Sequence, residues 1–503
     1  MDFYLSDSRL LQRVERRNII VLNHSSWDDW FSYNTLYRVS YYDNDSNEIV
    51  LGAVKIGEFN MEERTPRLPE RFTTLEPNFF SVGQDVSYYE ILNSKGEVFR
   101  DTILEALNDI SLKNELFENA IQERVTKQSL LRSVSIVSVK GEYRRLAQGI
   151  VKLTPYDFTF YAPKHFKSSI TPMVLDFSVK PKSNPPTNIH VIIGRNGVGK
   201  THLFNNMITS LIEEKPSRKV GYFESKDGFD IPFANLVSVS FSAFDDSNPI
   251  VEKRDKTKSI SYSYIGLKKV EKENLKLPPK SPTVLKNEFV KSIEVCRLGA
   301  KNERWLKALK TLETDPIFEE AEVSQIAKLG INDDFKELAS NIFKNLSSGH
   351  KIVLLTITRL VETIEERSLV LLDEPEGYLH PPLLSAFVRA LSDLLQRRNA
   401  VAIIGTHSPV VLQEVPKNCI WRLRRQGADA IAERLEIESF GENVGTLTQE
   451  VFGLEVTDSG FHKILKDIVE RTETFEEAVV KFDNQLGLEA RAILRNLFYQ
   501  KNL

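Results

Sequence analysis

Gly194-Arg195-Asn196-Gly197-Val198-Gly199-Lys200-Thr201 decides the reading of this chain. The octet follows an apolar run, Ile189 to Ile193, and leads into a helix expected to start near His202. Its spacing is G-x-x-x-x-G-K-[ST], and a strand before it with a helix after it is the setting a phosphate-binding loop requires. Glycines let the backbone wrap closely around phosphate oxygens, and successive amides at a helix start supply positive potential. Asn196, Gly197 and Gly199 would form the cradle. Lys200 would reach the β- and γ-phosphates of a nucleoside triphosphate, and Thr201 would ligate its magnesium ion.

A second half of such a site lies downstream. Ser368-Leu369-Val370-Leu371-Leu372-Asp373-Glu374-Pro375 is an apolar run that ends in two carboxylates. A buried parallel strand reads this way, and open α/β sheets bind ligands at the carboxyl ends of their strands. Asp373 would hold magnesium, directly or through water. Glu374 points differently and would polarise the attacking water.

Between the two halves lies Leu346-Ser347-Ser348-Gly349-His350, ahead of a helix expected over Lys351 to Glu365. After them comes Gly405-Thr406-His407-Ser408-Pro409, at the end of a strand expected over Ala400 to Gly405. In this order the four motifs resemble those of the ABC-ATPase superfamily. The resemblance implies that Ser347 and Gly349, in a signature like LSGGQ, contact the γ-phosphate held by a second subunit. It also implies that His407 senses that phosphate. ATP and Mg2+ are the expected cofactors, and a homodimer or higher homo-oligomer closing on its ATP sites is the expected assembly. The chain departs from the family after its second core strand. Val237 to Asp246 contains no glutamine, so Ser242, Asp245 or Asp246 would have to serve magnesium or water there. The signature ends in His350 rather than glutamine.

Glu374-Pro375-Glu376-Gly377-Tyr378-Leu379-His380-Pro381 resembles the E-P-E-x-x-L-H-P stretch of the OLD-like and RecF-like branch of these ATPases. Phe440-Gly441-Glu442-Asn443 and Leu447 to Leu454 resemble the tails of its defence members. Of these, the chain is most similar to the ATPase subunit (PtuA) of the Septu anti-phage system. That likeness implies a separate nuclease effector, of HNH type in the first place and of TOPRIM type in the second. No D-x-D pair follows His407, the eight histidines are scattered, and Asp43-Asn44-Asp45 reads as a turn. No intrinsic nuclease is therefore expected. Asn23 to Trp30, with two tryptophans and two aspartates, reads as an aromatic cluster rather than a metal site. Two alternatives remain beside the defence reading: a RecF-like ATPase binding DNA ends in repair, or a nucleotide-sensing scaffold with negligible turnover.

The rest of the sequence sets the frame. The chain has 503 residues, 41% hydrophobic and 27% charged, with a formal charge of −4. That is an ordinary balance, with no bulk argument for nucleic acid. Cys296 and Cys419 lack metal-ligand spacing, which fits a reducing cytoplasm. No apolar stretch is long enough for a simple membrane span, and the charged N-terminus is not read as a signal peptide. The expected fold is α/β: an ABC-ATPase head, a mostly parallel sheet plus antiparallel strands, with an α+β accessory region and an inserted helical, basic subdomain. The expected boundaries are 1–150 for the accessory region, 151–246 and 341–435 for the two core halves, 247–340 for the insertion and 436–503 for a helical tail. Arg254, Lys256, Lys258, Lys268, Lys269, Lys272, Lys276 and Lys280 crowd the start of the insertion. They suggest either a solvated helical arm or an arm for DNA, whose lysines would neutralise phosphates.

Overall fold

The computed structural model describes residues 1–24, 33–132, 134–150, 153–163, 172–213, 219–226, 232–241, 249–253, 260–270, 278–297, 300–329, 335–426, 429–453 and 460–501. Ser25 to Trp30, Ser242, Asp245, Asp246, Arg254, Lys256, Lys258, Lys272 and Lys276 lie outside the described residues.

The N-terminal region builds its own sheet. Its strands are β1 (Asp2–Leu5), β2 (Ile19–His24), β3 (Leu36–Tyr42), β4 (Glu48–Glu58), β5 (Arg71–Phe72) and β6 (Phe79–Gly83), in the order β5-β1-β2-β3-β4-β6. The expected hairpin is β3–β4. Asp43 makes its turn, with Oδ1 accepting the amides of Asp45 at 2.8 Å and Asn47 at 2.9 Å. The helical stretch expected over Ser87 to Ala120 forms in three pieces, Val86–Ser94, Glu97–Ala106 and Asn114–Ala120. Ile103, Leu104, Leu107 and Ile110 are buried against the sheet, as their spacing predicts.

The ATPase-like head begins with β7 (Tyr156–Tyr161) and β8 (Val174–Val179), an antiparallel pair. There follow β9 (Ile189–Ile193), β10 (Tyr222–Ser225), β11 (Asn235–Ser240), β12 (Ser261–Gly266), β13 (Leu369–Asp373), β14 (Val401–Thr406), β15 (Ile420–Gln426) and β16 (Asp429–Glu433). Three of them form the antiparallel sheet β10-β7-β8. The main sheet runs β12-β11-β13-β14-β9-β15-β16, parallel except for its last pair. Alternate residues of β9 and β13 feed opposite cores. Ile192, Leu369 and Leu371 pack with the helix Lys200–Ile212 and the antiparallel sheet. Val191, Ile193, Val370 and Leu372 pack with the helix Ser348–Thr363. The helix after the phosphate loop and the helix after the signature therefore cover opposite faces of one sheet.

The insertion carries the expected helices together with one strand that was not expected. Ser261-Tyr262-Ser263-Tyr264-Ile265-Gly266 is the edge strand β12, parallel to β11. Its Ser/Tyr alternation has the period of a strand and buries Tyr262 and Tyr264 on one side, and aromatic residues favour such a pleated surface. The helices that follow are a layer of the head. Pro282–Cys296 packs on Ser348–Thr363, and Ala300–Leu312 packs on Pro381–Arg397. Phe289, Ile293, Trp305, Leu309 and Phe318 enter the same core as the strands. The indole of Trp305 donates to Thr358 Oγ1 at 3.1 Å. Of the eight basic residues named above, Lys268, Lys269 and Lys280 are described. Lys280 pairs with Glu288 at 2.8 Å.

Buried polar contacts join the N-terminal region to the head. Arg398 meets Glu142 at 2.7 Å, and Ser138 Oγ donates to Glu365 Oε2 at 3.2 Å. The tail helices Gly460–Arg471, Phe475–Lys481 and Leu488–Lys501 close a small core of their own around Leu465, Leu494 and Phe498. Among the described residues no helix is long and apolar enough to cross a membrane.

Because Trp305 is wholly buried and hydrogen-bonded to the signature helix, Trp305→Ala is expected to cost about 3–5 kcal/mol of stability, read from denaturant unfolding of the head.

Candidate nucleotide site

Three adjacent strand ends build the site. In the register of the main sheet Asp373 lies beside Gly405, and Thr406 lies beside Ile193. The end of β14 thus stands between the phosphate loop after β9 and the acidic end of β13. This is the crevice where open α/β sheets hold ligands.

Within the loop Gly197 and Gly199 take φ of 79° and 101°, a region side chains disfavour, and this turns the chain into the helix Lys200–Ile212. The Lys200 side chain is 3% exposed and donates to the carbonyls of Gly194 at 3.0 Å and Arg195 at 3.2 Å. Thr201 Oγ1 donates to Asp373 Oδ2 at 2.6 Å. These two expected magnesium ligands are therefore in contact, and they come from elements 172 residues apart. An oxygen-rich pair of this kind suits a hard divalent cation that keeps several waters.

Glu374 has φ 47° and ψ 58°, a left-handed conformation that is sparsely populated for residues with side chains. The following Pro375 disfavours a helical continuation, and the Glu374 amide is held by the Gly405 carbonyl at 2.8 Å. The twist carries its carboxylate off the line of β13. It reaches within 3.5 Å of Lys200 Nζ and 3.7 Å of His407 Nδ1. The structure therefore brings Lys200, Thr201, Asp373, Glu374 and His407 together.

Glu376 is a functional candidate that the sequence reading passed over. Its Oε1 accepts from Thr406 Oγ1 at 2.6 Å and from the His407 amide at 2.8 Å, and lies 3.2 Å from His407 Nδ1. The Glu376 side chain is 8% exposed, whereas that of His407 is 44% exposed. A buried carboxylate thus anchors an outward-facing imidazole. The signal for it was the second glutamate of E-P-E, whose partner is visible only once β14 lies beside β13.

Ser347 and Gly349 stand at the start of the signature helix Ser348–Thr363, on the other face of the sheet from the helix Lys200–Ile212. Ser347 caps that helix. A Cβ at Gly349 would fall 2.6 Å from the Tyr378 carbonyl, so the signature glycine lets the turn after Glu374 pack closely. Beside Thr201 and Asp373 lies a cavity of about 210 Å³, lined also by Ser240, Tyr262 and Lys268. The strand β12 thus reaches the corner of the site at Thr201 and Asp373. Both cysteines are buried and free. Burial pushes the Cys419 thiol up to about 12 and Cys296 higher still, so neither is poised as a thiolate.

Protein ea59 of Escherichia phage lambda is 39% identical over 513 aligned positions, covering 97% of this chain and 96% of that protein. The chain belongs to the ea59 family. A family model described as "AAA domain, putative AbiEii toxin, Type IV TA system" matches residues 243–413, from the insertion through the signature, Asp373 and His407. Residues 243–413 of this member of the ea59 family are thus similar to an AAA domain. Solved structures aligned with it include cbiO1 from Clostridium perfringens, part of the ABC transporter complex cbiONQ. It is 14% identical, covers 61% of this chain and 95% of that one, and has a TM-score of 0.31. The SMC head domain from Thermotoga maritima is 12% identical, covers 57% of this chain and all of that one, and has a TM-score of 0.30.

Since Glu376 acts on His407 from beneath, Glu376→Ala is expected to lower ATP turnover about 10- to 100-fold, the range seen for lost orienting partners. Binding of a fluorescent ATP analogue should be nearly unchanged.

Proposed function

We propose that the chain hydrolyses ATP in composite sites made by two copies of itself. Asn196, Gly197, Gly199 and Lys200 of one copy hold the triphosphate, and Thr201 and Asp373 hold Mg2+. Glu374 activates the attacking water, and His407, braced by Glu376, reads the γ-phosphate. The signature of the second copy supplies Ser347, Gly349 and the N-terminal amides of its helix to the same phosphate.

The observation that carries this reading is the placement of the two helices. The phosphate-loop helix and the signature helix pack against opposite faces of one sheet. A signature on the face opposite the phosphate-loop helix supports the reading that its ligand is held by a neighbouring copy. Lys200 and Glu374 face each other at 3.5 Å, which sets the phosphate-binding and water-activating groups on one locus.

The biological role we infer is control of a separate nuclease effector, HNH-type rather than TOPRIM-type, in conflict between phages and bacteria, as in PtuA of the Septu system. Two findings support that setting: the 39% identical relative belongs to a phage, and the matching family model is described with a Type IV TA system. The likeness to the E-P-E-x-x-L-H-P branch supports it further. Free buried thiols agree with work in a reducing cytoplasm. A contact of the complex with DNA is inferred from Lys268 and Lys269, which follow β12; Lys280, beside the same strand, pairs with Glu288.

Glu374→Gln should bind ATP and stall before hydrolysis. Mass measurement in solution is expected to show the variant moving from its ATP-free state to a paired state on adding ATP and Mg2+, and Lys200→Ala is expected to abolish that shift. Turnover in Glu374→Gln equal to the parent would contradict the assignment. Copurification with the products of neighbouring genes tests the effector: recovery of no nuclease would remove that part of the reading.

A further inference from the structure

The signature serine is wired to the insertion. Ser347 Oγ lies 2.6 Å from His350 Nδ1, and His350 Nε2 lies 3.0 Å from Asp315 Oδ1. Asp315 caps the short helix Pro316–Glu320 with the same oxygen, which accepts the amides of Ile317 at 3.0 Å and Phe318 at 3.4 Å. The side chains of His350 and Asp315 are 2% and 5% exposed, and the Phe318 ring packs edge-on against the imidazole at 4.9 Å.

Elementary hydrogen-bond chemistry sets the direction of this chain. An ionised carboxylate only accepts hydrogen bonds, so His350 Nε2–H donates one to Asp315 Oδ1. In the neutral ring Nδ1 is then an acceptor, and the hydroxyl of Ser347 donates to it. One buried carboxylate in the insertion thereby sets both the tautomer of His350 and the rotamer of Ser347.

His380 approaches the same group, and one donor atom each from Asp315, His350 and His380 lie within 4.8 Å of one another. Their bonds mark a relay rather than a cation site. His380 Nδ1 takes the Leu383 amide at 3.3 Å, which leaves the proton of a neutral ring on Nε2, and Asp315 Oδ1 already receives three N–H groups.

We propose that Asp315 and His350 are positioning residues for the signature serine, and that through them the insertion is coupled to closure on ATP. This rests on the composite-site reading above. When Ser347 turns its hydroxyl toward a phosphate oxygen, its bond to Nδ1 must weaken. The change passes to His350, to Asp315 and to the cap of Pro316–Glu320. Coupling is reciprocal: a partner that shifts Asp315 changes how well two copies close on ATP, and closure moves the surface around Pro316. The histidine where the family has glutamine is the link that makes this possible.

A mutant cycle on the full chain tests the proposal. Steady-state ATP turnover and ATP-driven pairing are measured for the parent, Ser347→Ala, Asp315→Ala, Asp315→Asn and the Asp315→Ala/Ser347→Ala double variant. Asp315→Ala is expected to lower kcat about 10- to 100-fold, the cost of a misplaced contact group, with KM for ATP nearly unchanged. Asp315→Asn should keep most activity, because the amide oxygen can retain both the cap and the His350 bond. The double variant should be no slower than Ser347→Ala alone, since Asp315 acts through that serine. Parent-like kcat in Asp315→Ala, or losses that multiply in the double variant, would overturn the proposal. Should Asp315→Ala fail to fold, His350→Gln combined with Ser347→Ala must show the same non-additivity. A parent-like Ser347→Ala would sink the composite site together with the relay. A defective Ser347→Ala beside a parent-like Asp315→Ala would sink the relay alone.

Discussion

The contact between Thr201 Oγ1 and Asp373 Oδ2, at 2.6 Å, is the constraint on which the rest depends. It exists because β9 and β13 flank β14 in register, so the helix start that follows the loop after one strand meets the last residue of another. Shift either strand by one residue and every side chain changes face. Thr201 would then lose its partner Asp373, and Glu374 would lose its place opposite Lys200. The apolar runs of the three strands are therefore functional as well as structural. Their burial on both faces holds the register that holds the site.

The second constraint is the packing of the insertion. Its helices are a layer over the signature helix, with Trp305 bonded to Thr358 and Asp315 bonded to His350. A segment that could have been a projecting arm instead touches the residue that would meet a neighbour's ATP. The same segment contributes β12, which lies beside the cavity at Thr201 and Asp373. Both halves of the proposed composite site thus border the insertion, which makes it the natural place for an input or an output of the proposed ATPase cycle.

Much of the site was legible in the sequence, for a physical reason. Phosphate binding needs glycines, a lysine and a threonine at fixed local spacing, and a magnesium aspartate needs an apolar strand before it. Such signals are short-range, and Lys200, Thr201, Asp373 and Glu374 carry them. The hairpin β3–β4 was legible too, since Asp43 and Asn47 write a turn between alternating strands. What was hidden depends on strand order and on contacts between distant segments. Glu376 gains its role only when β14 brings Thr406 and His407 beside it. Asp315 and His350 are 35 residues apart and meet through helix packing. The strand Ser261–Gly266 was not expected, because its place is fixed by pairing with β11 rather than by local spacing alone.

The most direct measurement is a structure of the Glu374→Gln chain with ATP and Mg2+ bound. The account predicts two copies facing each other, with Ser347 Oγ of one within hydrogen-bond reach, about 2.6–3.2 Å, of the γ-phosphate held by Lys200 of the other. A structure in which ATP fills the loop at Lys200 while Ser347 lies far from every γ-phosphate, in any arrangement of copies, would contradict it.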